Sequence, residues 1–277
     1  MIKARNHDIG VCSWSLRPSD TQQLISTIRD LGLSHVQLAL TPLVMADDKR
    51  RYQEIGLIKN SGLQLIAGMI NFPGEDYSSI AIIRKTGGYV PDDQWEMRKK
   101  ISIDAIQIAG ELGIKRISTH IGFVPPSSDE KYAVIVQRIA EIAARFAESG
   151  LELLMETGQE RAAELLQFLN DVASKNVAIN FDPANMILYG AGDPIEAIGL
   201  LGRHISHVHV KDAILSDHPG TEWGKEVPFG NGQVSPRRFV DALDGIGYGG
   251  ALTIEREGRA PHRMDDIRQA IKVLREL

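Results

Sequence analysis

The stretch Glu148–Glu156, "ESGLELLME", decides how this chain folds. An amphipathic helical pattern runs up to it and stops at Ser149-Gly150. A glycine just past the last helical residue is the usual C-terminal stop, because it accepts the left-handed backbone that turns the chain away. The next five positions, "LELLM", are almost wholly apolar, as expected of a strand covered on both faces in a parallel sheet. The run ends on an acid, Glu156. The same helix-glycine-strand join recurs as "DLGLSHVQL" at 30–38 and "ELGIKRIST" at 111–119.

Working outward from these joins, the alternation spans the whole chain. "IGVCSW" precedes a helix over about 20–32, and "HVQLAL" one over 46–61. "LQLIAGMI" precedes a long irregular stretch and then a helix over 94–112. "RISTHIG" precedes 130–149, "LELLME" precedes 160–174, and "VAINFD" precedes 193–201. "ISHVHVKD" precedes 236–245, and "ALTIERE" precedes 265–276. Eight strand-helix units in 277 residues predict a single (β/α)8 TIM barrel over 1–277. An open doubly wound sheet would want a glycine-rich phosphate turn after the first strand, and "CSWSLRPSD" has none. Two connections are long, 70–93 after the third strand and 213–235 after the seventh. Both fall on the C-terminal face, where barrels place their chemistry.

Composition removes several functions. Lys plus Arg number 31 against 36 Asp plus Glu, a net charge of −5, which gives no footprint for nucleic acid or an anionic membrane. The one cysteine, Cys12, excludes an internal disulfide and fits a reducing compartment. The opening "MIKARNHDIGVCSWSL" has no apolar signal core, and no apolar run approaches the ~20 residues that span a bilayer. The expected location is cytoplasmic.

The strand ends carry the chemistry. The fifth strand ends in Glu156, the sixth in Asp182, the seventh in His209 and the eighth in Glu255. Singly, Glu156 and Asp182 could serve as N-terminal helix acids, Glu255 as a solvated charge, and His207 and His209 as core histidines. Together they place one ligand-type side chain on each of four successive strands at one rim. Such acids against apolar strands are costly to bury without a counter-charge, and a divalent cation supplies one. Three carboxylates and an imidazole form a hard site suited to Mn²⁺, Mg²⁺, Co²⁺ or Zn²⁺. In "HVHVKDA", His207–Ala213, alternate residues of a strand face one way, so His207, His209 and Lys211 share a face.

The motifs "ETG" at 156–158, "FDPAN" at 181–185, "HVHVKD" at 207–212 and "PFGNGQV" at 228–234 resemble the xylose-isomerase-like TIM-barrel superfamily of sugar and sugar-phosphate isomerases and epimerases. The likeness is strongest to the branch of pentulose-5-phosphate 3-epimerases and inosose-handling enzymes. It implies one divalent ion on Glu156, Asp182, His209 and Glu255, with His207 beside the ion or the substrate. It also implies a carbohydrate substrate, a metal-stabilised cis-enediolate, and Glu156 and Glu255 as the acid/base pair. A homodimer or homotetramer is implied too. Dehydration of a cyclic keto-polyol needs the same first step. The free-ketohexose epimerases carry histidine at the position of Asn185 and arginine at that of Leu215, so this chain departs from them. Apurinic endonucleases share the ligand order but need three metals and further histidines. A non-catalytic sugar-binding barrel would be expected to have lost ligands, and none is lost.

Further substrate contacts are expected from Trp14, His120, Asn185, His207 and Lys211, with Gln37 and Asn71 at comparable strand ends. For a phosphate, "REGRAPHR" after the eighth strand offers Arg256, Arg259, His262 and Arg263. The expected substrate is an uncharged or monophosphorylated keto-sugar or keto-polyol, with Arg259 as the candidate anion contact.

Overall fold

The computed structural model describes residues 2–258 and 262–277. Eight parallel strands form the centre: β1 His7–Cys12, β2 His35–Ala39, β3 Gln64–Met69, β4 Arg116–Thr119, β5 Glu152–Glu156, β6 Val177–Phe181, β7 Ile205–Val210 and β8 Leu252–Ile254. Each pairs in parallel with the next in sequence, and β8 pairs with β1, so the sheet closes into a barrel. The helices between them are α1 Thr21–Asp30, α2 Asp48–Lys59, α3 Trp95–Leu112, α4 Glu130–Glu148, α5 Ala162–Val172, α6 Pro194–Leu201, α7 Pro236–Gly245 and α8 Arg263–Arg275. This is the single-domain (β/α)8 barrel expected from the alternation. Among the described residues no helix is long and apolar enough to cross a membrane.

The joins that suggested the fold behave as their chemistry requires. Gly32, Gly113 and Gly150 have φ of +72°, +74° and +67°, the left-handed region in which a side chain would be strained. At the other end of the helices, the side chains of Asp20, Asp47, Asp129 and Asp193 accept backbone N–H groups of the first turns of α1, α2, α4 and α6. The amphipathic faces of these helices bury Ile28, Ile55, Ile108, Ile139 and Phe168 against the strands. The barrel interior near its C-terminal end is polar instead: Gln37, Ser118, Asn180, His207, His209 and Thr253 are all buried there.

The long connections hold more structure than their sequences suggested. The stretch over 70–93 contains a helix, Ile80–Thr86, capped by Ser79. The stretch over 213–235 starts from a two-stranded antiparallel ribbon, Asp212–Ile214 with Lys225–Val227. A short helix, Pro183–Tyr189, follows β6 directly and was not expected. Its sequence, PANMILY, reads as a loop because a strand end and a proline leave no helical period to detect.

The loop over 70–93 is docked beside the rim by Gly88. Its φ is +56°, and a Cβ there would stand 2.0 Å from the carbonyl carbon of Ile121 and 2.1 Å from the nitrogen of Gly122. Tyr89 N–H donates to Ile121 O across the same contact, and Arg98 donates to Gly88 O from α3. Gly88→Ala is therefore expected to cost roughly 2–4 kcal/mol, from overpacking plus a left-handed alanine. Urea unfolding of the two proteins measures it. A loss below about 0.5 kcal/mol would mean that the loop lifts off freely.

Candidate metal centre and cavity

Four strand ends converge on one point. Donor atoms of Glu156, Asp182, His209 and Glu255 all lie within 4.8 Å of one another, and all four residues are buried. His209 Nδ1 is the hub, 3.5 Å from Glu156 Oε1, 3.4 Å from Asp182 Oδ2 and 3.4 Å from Glu255 Oε2. His209 Nδ1 and Asp182 Oδ2 are buried with no hydrogen-bond partner. Two donors bound to a common ion at about 2.1 Å stand roughly 3.0–3.4 Å apart, so this spacing fits a shared cation better than direct hydrogen bonds. The donor set of three carboxylates and one imidazole fits a divalent ion of the Mg²⁺, Mn²⁺ or Zn²⁺ kind.

Each ligand is aimed by a neighbour. His209 Nε2 stands 2.6 Å from Gln37 Oε1 and, as the donor, leaves Nδ1 facing the acids. Asp182 does two jobs at once. Its Oδ1 accepts Asn185 N–H at 2.8 Å and caps the Pro183–Tyr189 helix, while Oδ2 faces the site. The helix-cap reading of this aspartate is thus realised at one oxygen, and the other is left without a hydrogen-bond partner. Glu156 accepts from Asn185 Nδ2 at 2.9 Å and Asn180 Nδ2 at 3.1 Å. Glu255 accepts from Trp14 Nε1 at 2.7 Å and Lys211 Nζ at 2.8 Å. Register shifts in the sheet occur at Val36/Gln37 and at Ile179/Asn180. Such irregularities re-aim a side chain, and here they fall at the two amides that hold His209 and Glu156.

The electrostatics follow the same arrangement. Burial alone would raise all three carboxyls. Lys211 and His209 outweigh it at Glu255, holding that group down at about 2. His120 and His209 lower Glu156, and Lys211 and His209 lower Asp182. The three acids are therefore ionised at neutral pH. Cys12 Sγ lies 3.7 Å from His209 Nε2, on the far side of the ring, and with His209 and Glu255 it forms a second candidate ligand group. Burial pushes its thiol up to about 12, so it stays protonated and is a poor ligand there.

Above the quartet opens a cavity of about 510 Å³. Trp14, Asn71, His120, Asn185 and Glu255 line it, as do Tyr77, Tyr189, Trp223, Glu226 and Glu257, which sequence reasoning missed. Glu257 could have been found, since it lies two residues beyond Glu255 and shares its face. The other four sit in loops or on the unexpected helix, where no periodicity marks them. His120 Nε2 is 3.5 Å from Glu156 Oε1, and His120 lines the cavity.

Three residues expected at the rim are placed elsewhere. His207 lies one layer deeper, buried, with Nε2 3.2 Å from Gln37 Oε1, and it does not line the cavity. Gln37 itself is in the barrel core and not at the rim. Lys211 is buried behind the rim, bonded to Glu255, to Asn185 Oδ1 at 3.0 Å and to Glu257 Oε2 at 2.5 Å. Arg259 lies outside the described residues. Asp212 is structural: its carboxylate accepts the N–H groups of Ala213, Gly230, Gly232 and Val234, fixing the "GNG" turn.

A model of the xylose isomerase-like TIM barrel family matches residues 25–277. The chain belongs to this family. Among xylose isomerase-like structures, the xylose isomerase domain protein from Planctomyces limnophilus is 31% identical with a TM-score of 0.86, covering 99% of this chain and 95% of that one. D-psicose 3-epimerase with D-tagatose from Clostridium cellulolyticum H10 is 16% identical with a TM-score of 0.73, over 97% and 98% of the two chains. The probable 3-DHS dehydratase AsbF from Bacillus anthracis is 18% identical, also at 0.73, over 96% and 98%. The latter two are likenesses of fold. The chain spans about half the length of the curated relatives it matches, 45% and 57%, the first being the uncharacterized protein YihM of Escherichia coli K12.

One acid beside this site titrates within reach of experiment. Glu160, buried after β5 and accepting Val124 N–H, is pushed by burial from 4.5 up to about 7. Its folded state therefore binds the proton more tightly than the unfolded chain does. That contribution is complete below about pH 4.5 and is lost as the pH rises through about 7, a change on the order of 3 kcal/mol. Glu160→Gln keeps an acceptor for Val124 without the charge. Its stability relative to the wild type should rise between pH 4.5 and 8 in urea unfolding, and a difference that stays flat contradicts the assignment.

Proposed function

We propose that this protein is a divalent-metal-dependent isomerase or epimerase of a keto-sugar, sugar phosphate or cyclic keto-polyol. The observation that carries the reading is the buried quartet with its unpartnered Nδ1 and Oδ2 atoms, opening into a cavity walled by aromatic and polar side chains. Glu156, Asp182, His209 and Glu255 would hold the ion. When bound, it would polarise the carbonyl and the adjacent hydroxyl of a hydroxyketone.

The proton chemistry belongs to the chain. Glu156 on β5 and Glu255 on β8 approach His209 from strands three apart around the barrel. A carboxylate on one side of the substrate takes the proton from the carbon beside the carbonyl, giving the enediolate form of the sugar. The carboxylate on the other side returns a proton to the opposite face of that carbon, which inverts it. Both groups are ionised and held by donors, Glu255 by Trp14 and Lys211, Glu156 by Asn185 and Asn180, so neither needs to reorient. His120 beside Glu156 is placed to hold a substrate oxygen on that side. Trp14, Tyr189 and Trp223 supply faces for a sugar ring. Dehydration of a cyclic keto-polyol is the second reading. It uses the same first proton removal, with a β-hydroxyl leaving afterwards. The same reading takes a small carbohydrate as the partner and a homodimer or homotetramer as the assembly.

The test is solvent exchange. With Mn²⁺ present in D₂O, deuterium is expected at the carbon beside the carbonyl of each substrate turned over. Glu156→Gln and Glu255→Gln are each expected to lower turnover at least 10³-fold. Product formed over many turnovers with no solvent deuterium would point to a hydride shift between carbons instead. A conjugated enone in the product, seen by its ultraviolet absorbance, would select the dehydratase.

A further inference from the structure

We infer that the cavity excludes phosphate esters and takes an uncharged polyol end, with Glu257 as the carboxylate that makes this choice. The inference rests on the keto-sugar reading above and narrows it.

In a TIM barrel, phosphate is most often held by the loops after the seventh and eighth strands, through backbone N–H groups and a helix start. After the seventh strand that place is taken by a carboxylate, and after the eighth the described arginines are engaged within the chain. The N–H groups of Gly230 and Gly232 point at Asp212 Oδ2, each at 3.0 Å. The glycine turn after the seventh strand is thus already occupied by an anion of the chain itself. After β8, Arg256 is buried and bound to Glu226 Oε1 at 2.8 Å and Asp266 Oδ2 at 3.0 Å. Arg263 donates to Gly258 O at 2.7 Å. Among the described residues, no arginine or lysine lines the cavity, while Glu226, Glu255 and Glu257 do.

Charge balance points the same way. Glu156, Asp182, Glu226, Glu255 and Glu257 cluster around Lys211 and Arg256. With Asp266, which also binds Arg256, six carboxylates face those two cations and one divalent ion, which leaves two negative charges. A phosphate dianion brought alongside meets repulsion, and it has no donor to offer the carboxylates. A hydroxyl has one.

Glu257 is the group best placed to read that difference. Its side chain is 55% exposed and lines the cavity, whereas that of Glu226 is 12% exposed and committed to Arg256. Its position is built. Its N–H donates to Glu226 Oε1 at 2.9 Å from the lid ribbon, its carbonyl accepts from Arg17 at 3.1 Å, and its Oε2 holds Lys211. Trp223 lines the same cavity wall. A polyol end there donates to Glu257.

Calorimetry on the Mn²⁺-loaded protein tests this with matched pairs: D-ribulose and its 5-phosphate, D-fructose and its 6-phosphate. The free ketose should bind at least tenfold more tightly than its ester. Glu257→Gln should narrow that ratio by about tenfold, mainly by strengthening ester binding, a change in selectivity that a loss of fold would not produce. Esters bound as tightly as ketoses by the wild type would overturn the inference and leave the isomerase reading standing, most clearly if Arg259→Ala abolished the ester preference. A ketose preference that Glu257→Gln leaves unchanged would overturn the role given to Glu257. Binding of no member of any pair would overturn both the inference and the keto-sugar reading.

Discussion

The arrangement depends on one electrostatic constraint, the convergence of three ionised carboxylates on a single imidazole nitrogen inside a barrel. Charges of one sign in a buried setting repel strongly, and desolvation adds to the cost of each. Hydrogen bonds from Asn180, Asn185, Trp14 and Lys211 offset part of that cost. They do not reach Asp182 Oδ2 or His209 Nδ1. A cation between those atoms is the one partner that would satisfy the oxygen and the nitrogen together. In this account the fold tolerates the cluster because the cluster has a ligand to bind.

The barrel supplies the geometry for this at several levels. Parallel strands bring four ends to one rim, and the register shifts at Gln37 and Asn180 turn two amides inward beneath them. The layer below is polar and mostly hydrogen-bonded, which sets the His209 tautomer through Gln37. Above, Asp212 fixes the lid from within by four N–H groups, and Gly88 lets the loop over 70–93 lie flat beside His120. The residues that hold the loops in place are therefore different from those that meet the cavity. The candidate catalytic groups stand at strand ends, and Glu257, just beyond β8, is the group proposed to select the substrate.

Much of this was legible in the sequence, for definite reasons. The glycine joins and the apolar strands give the barrel, since period and chain reversal are local properties. Glu156, Asp182, His209 and Glu255 were legible because strand ends of a barrel map to one rim. The depth of a side chain was not. Gln37 is in register with Cys12 and His207 with Asn180, both below the rim and buried, and sequence alone does not show that pairing. The arginines after β8 looked like an anion site because sequence shows charges and not their partners. Arg256 meets Glu226 from a lid 30 residues earlier, and no local pattern records that pairing. Tyr77, Tyr189 and Trp223 were missed for the same reason, being brought to the cavity by loops.

Glu156, Asp182, His209 and Glu255 are expected to hold one divalent ion together. Anomalous diffraction from crystals grown with Mn²⁺ tests it most directly. One peak per chain, within bonding distance of His209 Nδ1 and of all three carboxylates, is the predicted result. It should disappear in Asp182→Asn while the barrel persists. No peak at this point under saturating Mn²⁺, or a peak on the Cys12 side of the imidazole instead, would contradict the account.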